Sequence, residues 1–203
     1  MKTSNRVFEM CVSLMCMMLL STLAPAQSAS VHSSSKSAAQ YDAQSIANNI
    51  ADLHDIMFLS RNATERGKDE RTRSIAEGML TDYTTLVYSL EQLASAGFGS
   101  SKKNNENGQG TFKETASLNA NLSASRGMNY DTLWITGLLS LQQTKYNELL
   151  AQKENVTNSQ LKSATNDAIP VVRRYITQLR SLQKSLVKMM LQEQKEAAKS
   201  KKK

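Results

Sequence analysis

The sequence predicts an all-α protein in which four main helices pack as a bundle. Apolar residues recur at alternating steps of three and four along most of the chain, the spacing that places them on one side of an α-helix. Glycines and capping residues that end or begin helices fall between these apolar stripes. No segment shows the strict alternation of a half-buried strand, and no repeat period is present.

Residues 1–26 predict a secretory signal peptide. A basic start is followed by a short apolar run and by small residues at 24–26 that suit cleavage. The run is shorter than a membrane-spanning helix requires, although an uncleaved anchor is the alternative. Cys11 and Cys16 both lie in this leader, so the mature chain carries no thiol. We therefore expect export to the periplasm or the outer membrane, with no transmembrane span after the leader is removed.

The first half of the mature chain predicts a linker and a helical hairpin. Serine and alanine dominate residues 27–40, which predicts a flexible linker. A helical stripe then runs from Tyr41 to about Arg66. Asp69 is placed to cap a second helix, which ends at Gly97. The short link between the two helices favours an antiparallel hairpin.

The middle of the chain predicts a long crossover with one short helix. Residues 98–110 are rich in glycine, asparagine and lysine, as expected of a polar loop. Residues 111–114 fit a capping box that opens a short helix reaching Leu122. The next helix runs from about Asn129 to Gln152.

The last helix carries the longest apolar stripe and completes the predicted bundle, residues 41–195. Residues 157–160 fit a capping box, and the stripe keeps its phase through Pro170. This indicates a kinked helix, and the kink either opens a site in the bundle or bends the helix around its core. Two hairpins joined by a long crossover form a ferritin-like four-helix bundle.

Positive charge is concentrated at the end of the chain, in a basic tail of residues 196–203 and the turn before it. The net charge is +7. The tail lysines are Lys195, Lys199, Lys201, Lys202 and Lys203. They suit either a solvated helix terminus or contact with an anionic envelope surface. Nucleic acid is not expected as a partner, because the chain is exported and no aromatic residues interleave with these lysines.

The sequence contains no catalytic constellation. Its two histidines are His32 and His54, and the residues at helical spacing from His54 are apolar. Glu-x-x-His pairs, a glycine-rich phosphate loop and a nucleophile elbow are all missing. We therefore expect no catalytic residues, no cofactor and no metal site.

Three segments resemble a family of bacterial envelope proteins called domain of unknown function 4142, over roughly residues 42–186. SIAEGMLTDY at 74–83 is similar to the family's helix ending in Met-Val-x-Asp-His. YDTLWITGLLSLQ at 130–142 and IPVVRRY at 169–175 are similar to its Phe-Asp-x-x-Tyr-x-x-x-Met-x-x-x-His and Leu-Pro-x-Leu-Arg-x-His segments. The resemblance implies an exported, ferritin-like helical bundle. This chain departs from the family at its three histidines, which are Tyr83, Gln142 and Tyr175 here.

Polar residues in these segments predict a hydrogen-bonded layer inside the bundle, near Pro170. Buried polar groups need partners, and several of these side chains lie on or beside the apolar stripes. The layer comprises Asp82, Tyr83, Gln142, Arg173 and Tyr175. The alternative is that most of them face solvent at the edges of the stripes.

Two functions remain open from the sequence. The first is a non-enzymatic envelope protein with a binding or structural role, which the apolar stripes and the basic tail favour. The alternative is a ferritin-like metal-binding or redox protein that uses Asp82, Tyr83 and Tyr175. Self-association along the long last helix is a further expectation that either function allows.

Overall fold

The computed structural model describes residues 29–98 and 114–200, and both stretches are almost entirely helical. The helices are α1 (Ala29–Arg66), α2 (Glu70–Leu93), α3 (Glu114–Ala124), α4 (Met128–Asn155) and α5 (Ser159–Ser200). No strand occurs in either stretch, so the prediction of an all-α protein is confirmed. The predicted leader, nearly all of the predicted polar loop and Lys201, Lys202 and Lys203 lie outside the described residues.

The four long helices form a bundle of two hairpins. α1 packs on α2 and α4 packs on α5, while α2 also packs on α5 and α1 on α4. The short α3 lies against α4. Large side chains from all four long helices fill the centre, among them Ile56, Leu59, Met79, Trp134, Leu138 and Leu179. The predicted helical bundle is confirmed, and its ferritin-like topology stays a prediction.

The first helix is longer than the sequence predicted. α1 begins at Ala29, so the prediction of a flexible linker over residues 27–40 was wrong from Ala29 onward. No glycine or proline interrupts this stretch, and its alanines are strong helix formers. The helix therefore continues backwards from its buried part without large apolar residues of its own.

The predicted N-cap of α2 is confirmed, and its other end differs from the prediction. The Asp69 carboxylate accepts a hydrogen bond from the Arg71 backbone N–H at 2.9 Å, which caps the helix. At the other end, α2 passes into a π-helical turn, Ala94–Phe98. Gly97 in this turn has a φ of 92°, a left-handed conformation that glycine adopts without steric cost.

Helix α5 begins one residue later than the predicted capping box implies. Asn158 is its N-cap, because the Asn158 side chain accepts from the Leu161 N–H at 2.8 Å. The hydroxyl of Thr157, predicted to be the cap, instead donates to Asp42 of α1. α5 then continues through Pro170 as one helix.

Two buried aspartates connect the hairpins to each other. Asp42 of α1 accepts from the backbone N–H groups of Thr157 and Asn158, at 3.1 and 2.9 Å, in the turn before α5. Asp131 of α4 accepts from the N–H groups of Lys68 and Asp69, at 3.0 and 2.8 Å, in the turn before α2. Each hairpin thus binds the turn of the other.

Candidate functional site

A cavity of about 300 Å³ lies between all four long helices, beside the part of α5 that precedes Pro170. Its wall is mainly apolar and is formed by Leu53, Leu86, Leu90, Leu93, Leu149 and Val172. Buried polar side chains, Asn49, Lys145 and Thr165, line it from within the bundle. Exposed polar side chains, among them Gln160, Ser163 and Asp167, form its rim.

Side-chain size on α5 explains why the cavity lies here. Before the proline, α5 presents Ala164 and Ala168 to the cavity. Beyond it, larger residues such as Tyr175 and Leu179 are buried in the core. Small side chains leave space that the leucines of the other helices do not fill, so the two halves of α5 pack differently.

Lys145 is buried beside this cavity in an ion pair. Its ammonium nitrogen lies 2.5 Å from Asp52 Oδ2 and 3.2 Å from Glu148 Oε2. The side chains of Lys145 and Asp52 are only 2 % and 1 % exposed, whereas that of Glu148 is 43 % exposed. A buried ammonium requires such a partner, because removing a charge from water is costly.

A second polar pair lies near Lys145. The Asn49 side-chain amide donates to Gln152 Oε1 at 2.9 Å, and both residues are buried. Gln152 Nε2 has no hydrogen-bond partner. Because Lys145 and Gln152 are seven residues apart on α4, they lie on the same face of that helix.

Sequence reasoning did not identify this ion pair as part of a site. The signal was present, since Lys145 occupies an apolar stripe position where a charged residue is rarely found without a partner. The partner could not be named, because Asp52 lies on α1 and only the packing of the hairpins brings it near.

The structure brings together four of the five residues of the predicted polar layer. Tyr83 donates to Gln142 Oε1 at 2.6 Å, and the Tyr175 hydroxyl donates to Asp82. The rings of Tyr83 and Tyr175 meet edge to face with centroids 5.5 Å apart. Tyr83, Gln142 and Tyr175 are buried, while Asp82 is partly exposed.

The fifth residue of that predicted layer, Arg173, lies elsewhere. It is exposed, and its guanidinium donates to the Tyr146 hydroxyl at 2.5 Å and lies 5.5 Å from the centre of that ring. The neighbouring Arg174 forms the ion pair with Asp82 instead. Successive residues differ by about 100° around a helix, which separates the partners of these two arginines.

The buried tyrosines of this group remain protonated at neutral pH. Burial raises the pKa of Tyr83 far above its ordinary value, against the opposing effect of its hydrogen bond to Gln142. Burial likewise raises the pKa of Tyr175, and its hydrogen bond to the Asp82 carboxylate adds to the shift. Both side chains therefore act as neutral hydroxyl donors.

The tail lysines that the structure describes are accessible. Lys195 and Lys199 are exposed near the end of α5. The preceding turns also expose apolar side chains, with Val187 at 49 % and Leu191 at 52 %.

Across residues 29–98 and 114–200, no helix combines the length and apolar content needed to cross a membrane. In the same residues, no three His, Cys, Asp or Glu side chains are grouped so that they could hold a metal ion.

The comparison with protein families decides the family. The model of a family described as a domain of unknown function, DUF4142, matches residues 23–182, which is most of the chain. The chain belongs to the DUF4142 family. The cavity and the four assembled polar-layer residues lie inside the DUF4142 match, whereas Lys195 and Lys199 lie beyond it. No curated protein and no solved structure matches the chain significantly.

Proposed function

We propose that this DUF4142 protein is an exported, non-enzymatic binding protein of the cell envelope that holds a small, largely apolar molecule between its helices. The observation that carries the proposal is the cavity of about 300 Å³ with its leucine-rich wall. Concave, mainly apolar sites with a few polar groups are the usual form of small-molecule binding sites.

The dimensions of the cavity limit the size of the ligand. Small-molecule sites span roughly 300–1,000 Å³, so this cavity is at the lower end. An apolar cavity of roughly 150 Å³ takes up benzene, so twice that volume suits about twelve non-hydrogen atoms. Burial of such a ligand gains roughly 25 cal/mol for each Å² of apolar surface removed from water.

The polar groups around the cavity support binding rather than catalysis. Lys145 is held by two carboxylates, and the side-chain amide of Asn49 donates a hydrogen bond to Gln152. A general base or an activated nucleophile needs a titratable group free to exchange its proton with a substrate. These side chains are instead fixed by their partners within the fold.

Titration of the purified mature protein with butylbenzene tests the proposed function. We expect saturable binding at one site by isothermal titration calorimetry. Ala164→Phe places a ring in the cavity and should lower the affinity at least tenfold. Ala151→Phe adds the same ring at an exposed position of α4 and should leave the affinity unchanged. Absence of binding, or equal binding by Ala164→Phe and the unmodified protein, would contradict the proposal.

The position of the protein in the envelope is a second proposal, carried by the tail. Lys195 and Lys199 are exposed on the same helix as the exposed Val187 and Leu191, and three further lysines follow them in the sequence. Each lysine near an anionic membrane surface contributes roughly 1 kcal/mol. We expect binding to phosphatidylglycerol vesicles that weakens with salt and is largely lost when all five lysines are replaced by glutamine. Equal binding by that variant would contradict this role.

The alternative of a metal or redox centre has less support. Asp82 already accepts from Tyr175 and Arg174, and Tyr83 is bonded to Gln142. A metal at this position would have to displace these hydrogen bonds. Elemental analysis of the purified protein tests the alternative, since stoichiometric iron, manganese or copper would favour it.

A further inference from the structure

The cavity has polar features that restrict its ligand beyond size and hydrophobicity. We propose that it selects an uncharged molecule with one hydrogen-bond acceptor, such as an alcohol, ketone or ether oxygen, which Lys145 binds. This inference rests on the proposed function, because it specifies the ligand of the same cavity.

The Lys145 ammonium has more hydrogen-bond donors than its two carboxylate partners use. A lysine ammonium carries three N–H groups and no acceptor. Two of them are used by Asp52 and Glu148. Lys145 lines the cavity and is 2 % exposed, so bulk water has little access to the third. A ligand acceptor beside it would complete the set, and a buried donor gains more from a partner than an exposed one.

The charges around Lys145 disfavour an anionic ligand. Asp52 and Glu148 place two carboxylates around one ammonium, and Asp167 adds a third carboxylate at the cavity rim. An anionic ligand group that accepts from Lys145 would therefore lie near the carboxylates of Asp52 and Glu148. Like charges in a partly dehydrated site repel strongly, which disfavours a carboxylate or phosphate head.

A cationic group is disfavoured for a different reason. An ammonium ligand has no lone pair to accept a hydrogen bond from Lys145, so the third N–H of that lysine would stay without a partner. It would also have to give up its hydration in a cavity whose wall is mainly apolar. An uncharged acceptor avoids both costs while it keeps the hydrogen bond.

Four probes of nearly equal size test this selection: butylbenzene, 4-phenyl-1-butanol, 4-phenylbutanoate and 4-phenylbutylammonium. We expect the alcohol to bind about tenfold more tightly than butylbenzene, as one hydrogen bond to a charged donor implies. Both charged probes should bind at least tenfold more weakly than the alcohol. Equal affinity for the alcohol and butylbenzene would overturn the inference.

Two variants assign the selection to the ion pair. Lys145→Met should abolish the preference for the alcohol over butylbenzene, whereas Lys162→Met, at an exposed position of α5, should leave it unchanged. Glu148→Gln keeps the buried pair and removes one partly exposed carboxylate. It should raise the affinity for 4-phenylbutanoate relative to the alcohol about threefold, and it tests the inference even where Lys145→Met does not fold.

The outcomes distinguish a failure of the selection by Lys145 from a failure of the proposed binding function. If butylbenzene and the alcohol bind equally well and Ala164→Phe blocks both, the cavity binds apolar molecules and the selection by Lys145 is wrong. If none of the four probes binds, the proposed function itself is wrong. Tightest binding of 4-phenylbutanoate would overturn the inference that the cavity selects an uncharged molecule.

Discussion

Lys145 and Asp52 place a complete ion pair inside the helix bundle, where neither side chain is more than 2 % exposed. A buried pair of this kind adds little net stability compared with well-packed hydrocarbon, because both ions lose their hydration. Removing only one of the two residues costs more, since the buried ion that remains loses its closest opposite charge. The pair therefore constrains which substitutions the core accepts.

The first prediction concerns this pair. Lys145→Met should lower the free energy of unfolding by about 3–5 kcal/mol, because it leaves the Asp52 carboxylate without its ammonium partner. The double variant Asp52→Asn with Lys145→Met should recover most of that loss. Urea denaturation followed by the fluorescence of Trp134, the one tryptophan in the chain, measures both. An unchanged midpoint for Lys145→Met would show that the pair does not hold the core.

A second prediction concerns the buried tyrosine on α2. Tyr83→Phe removes the hydroxyl that Gln142 accepts from, and Gln142 Nε2 has no partner in the fold. A buried amide left entirely unpaired should lower the free energy of unfolding by about 1–3 kcal/mol. Tyr88→Phe is the matched control, because Tyr88 is 62 % exposed and its loss should change the stability by less than about 0.5 kcal/mol.

The same tyrosines predict how stability depends on alkaline pH. Burial raises the pKa of Tyr130 to about 12, and it raises those of Tyr83 and Tyr175 further. A raised pKa means that the folded protein holds the proton more tightly than the unfolded chain, whose tyrosines titrate near pH 10. The contribution of these tyrosines to stability should therefore be constant below that pH and fall above it, by about 1.4 kcal/mol per pH unit for each buried tyrosine.

The measurement is urea denaturation at a series of alkaline pH values. Tyr83→Phe should reduce the slope by the contribution of one proton, and Tyr88→Phe should leave it unchanged. A slope that stays the same in Tyr83→Phe would mean that this hydroxyl ionises alike in the folded and unfolded states.

For single residues, the sequence could predict which face of a helix a side chain occupies, but not which residue it binds. Helical spacing placed Asp82 and Tyr175 on apolar stripes, and the structure joins them by a hydrogen bond. It could not distinguish Arg173 from Arg174, because the choice depends on how α5 is rotated against α2. The partner of Lys145 lies 93 positions earlier in the chain, a distance at which spacing carries no information.

At the scale of helices and turns, the two hairpins depend on each other. Asp42 and Asp131 each accept two backbone N–H groups from the turn of the opposite hairpin. Helix starts leave such N–H groups without partners inside the helix. Here a carboxylate from the neighbouring hairpin supplies the acceptor, so the local need of a helix end is met by the tertiary fold.

The contacts between the hairpins predict how much Asp131 and Asp42 each contribute to the free energy of unfolding. Asp131→Ala leaves the N–H groups of Lys68 and Asp69 without acceptors and should lower the free energy of unfolding by about 2 kcal/mol or more. Asp42→Ala should cost a similar amount, for the same reason at the other turn. Glu154→Ala removes an exposed carboxylate of α4 and serves as the control. Urea denaturation measures all three, and a cost below about 0.5 kcal/mol for Asp131→Ala would contradict the proposed connection.

The predicted start of a helix was wrong where contacts with other parts of the fold determine it. The hydroxyl of Thr157 suits an N-cap, yet it donates a hydrogen bond to Asp42, and Asn158 caps α5 instead. Residues 29–40 lack the large apolar side chains that indicate a packed helix, although nothing in them breaks one. Apolar periodicity detects the buried part of a helix and does not limit how far the helix extends beyond it.

At the scale of the whole molecule, the cavity is a property of four helices together. The apolar stripes predicted a core, and a predicted kink at Pro170 either opened a site or bent the helix around that core. The sequence could not show that the core is incomplete there. A void depends on the volumes that four helices present to one another, and Ala164 and Ala168 look like ordinary core residues in isolation.

Because the cavity is unfilled, a larger side chain inside it should raise the free energy of unfolding and weaken ligand binding. Ala164→Leu adds apolar volume inside the cavity and should raise the free energy of unfolding by about 1 kcal/mol, while Ala151→Leu on the exposed side of α4 should not. A ligand that binds only the folded state adds about 2.7 kcal/mol when present at one hundred times its dissociation constant. The unmodified protein should therefore gain this increment with butylbenzene, and Ala164→Leu should lose most of it. Thermal denaturation with and without the ligand measures both effects. If Ala164→Leu were destabilised and still responded fully to the ligand, the space beside α5 would not be the site, because a residue that fills it would leave binding untouched.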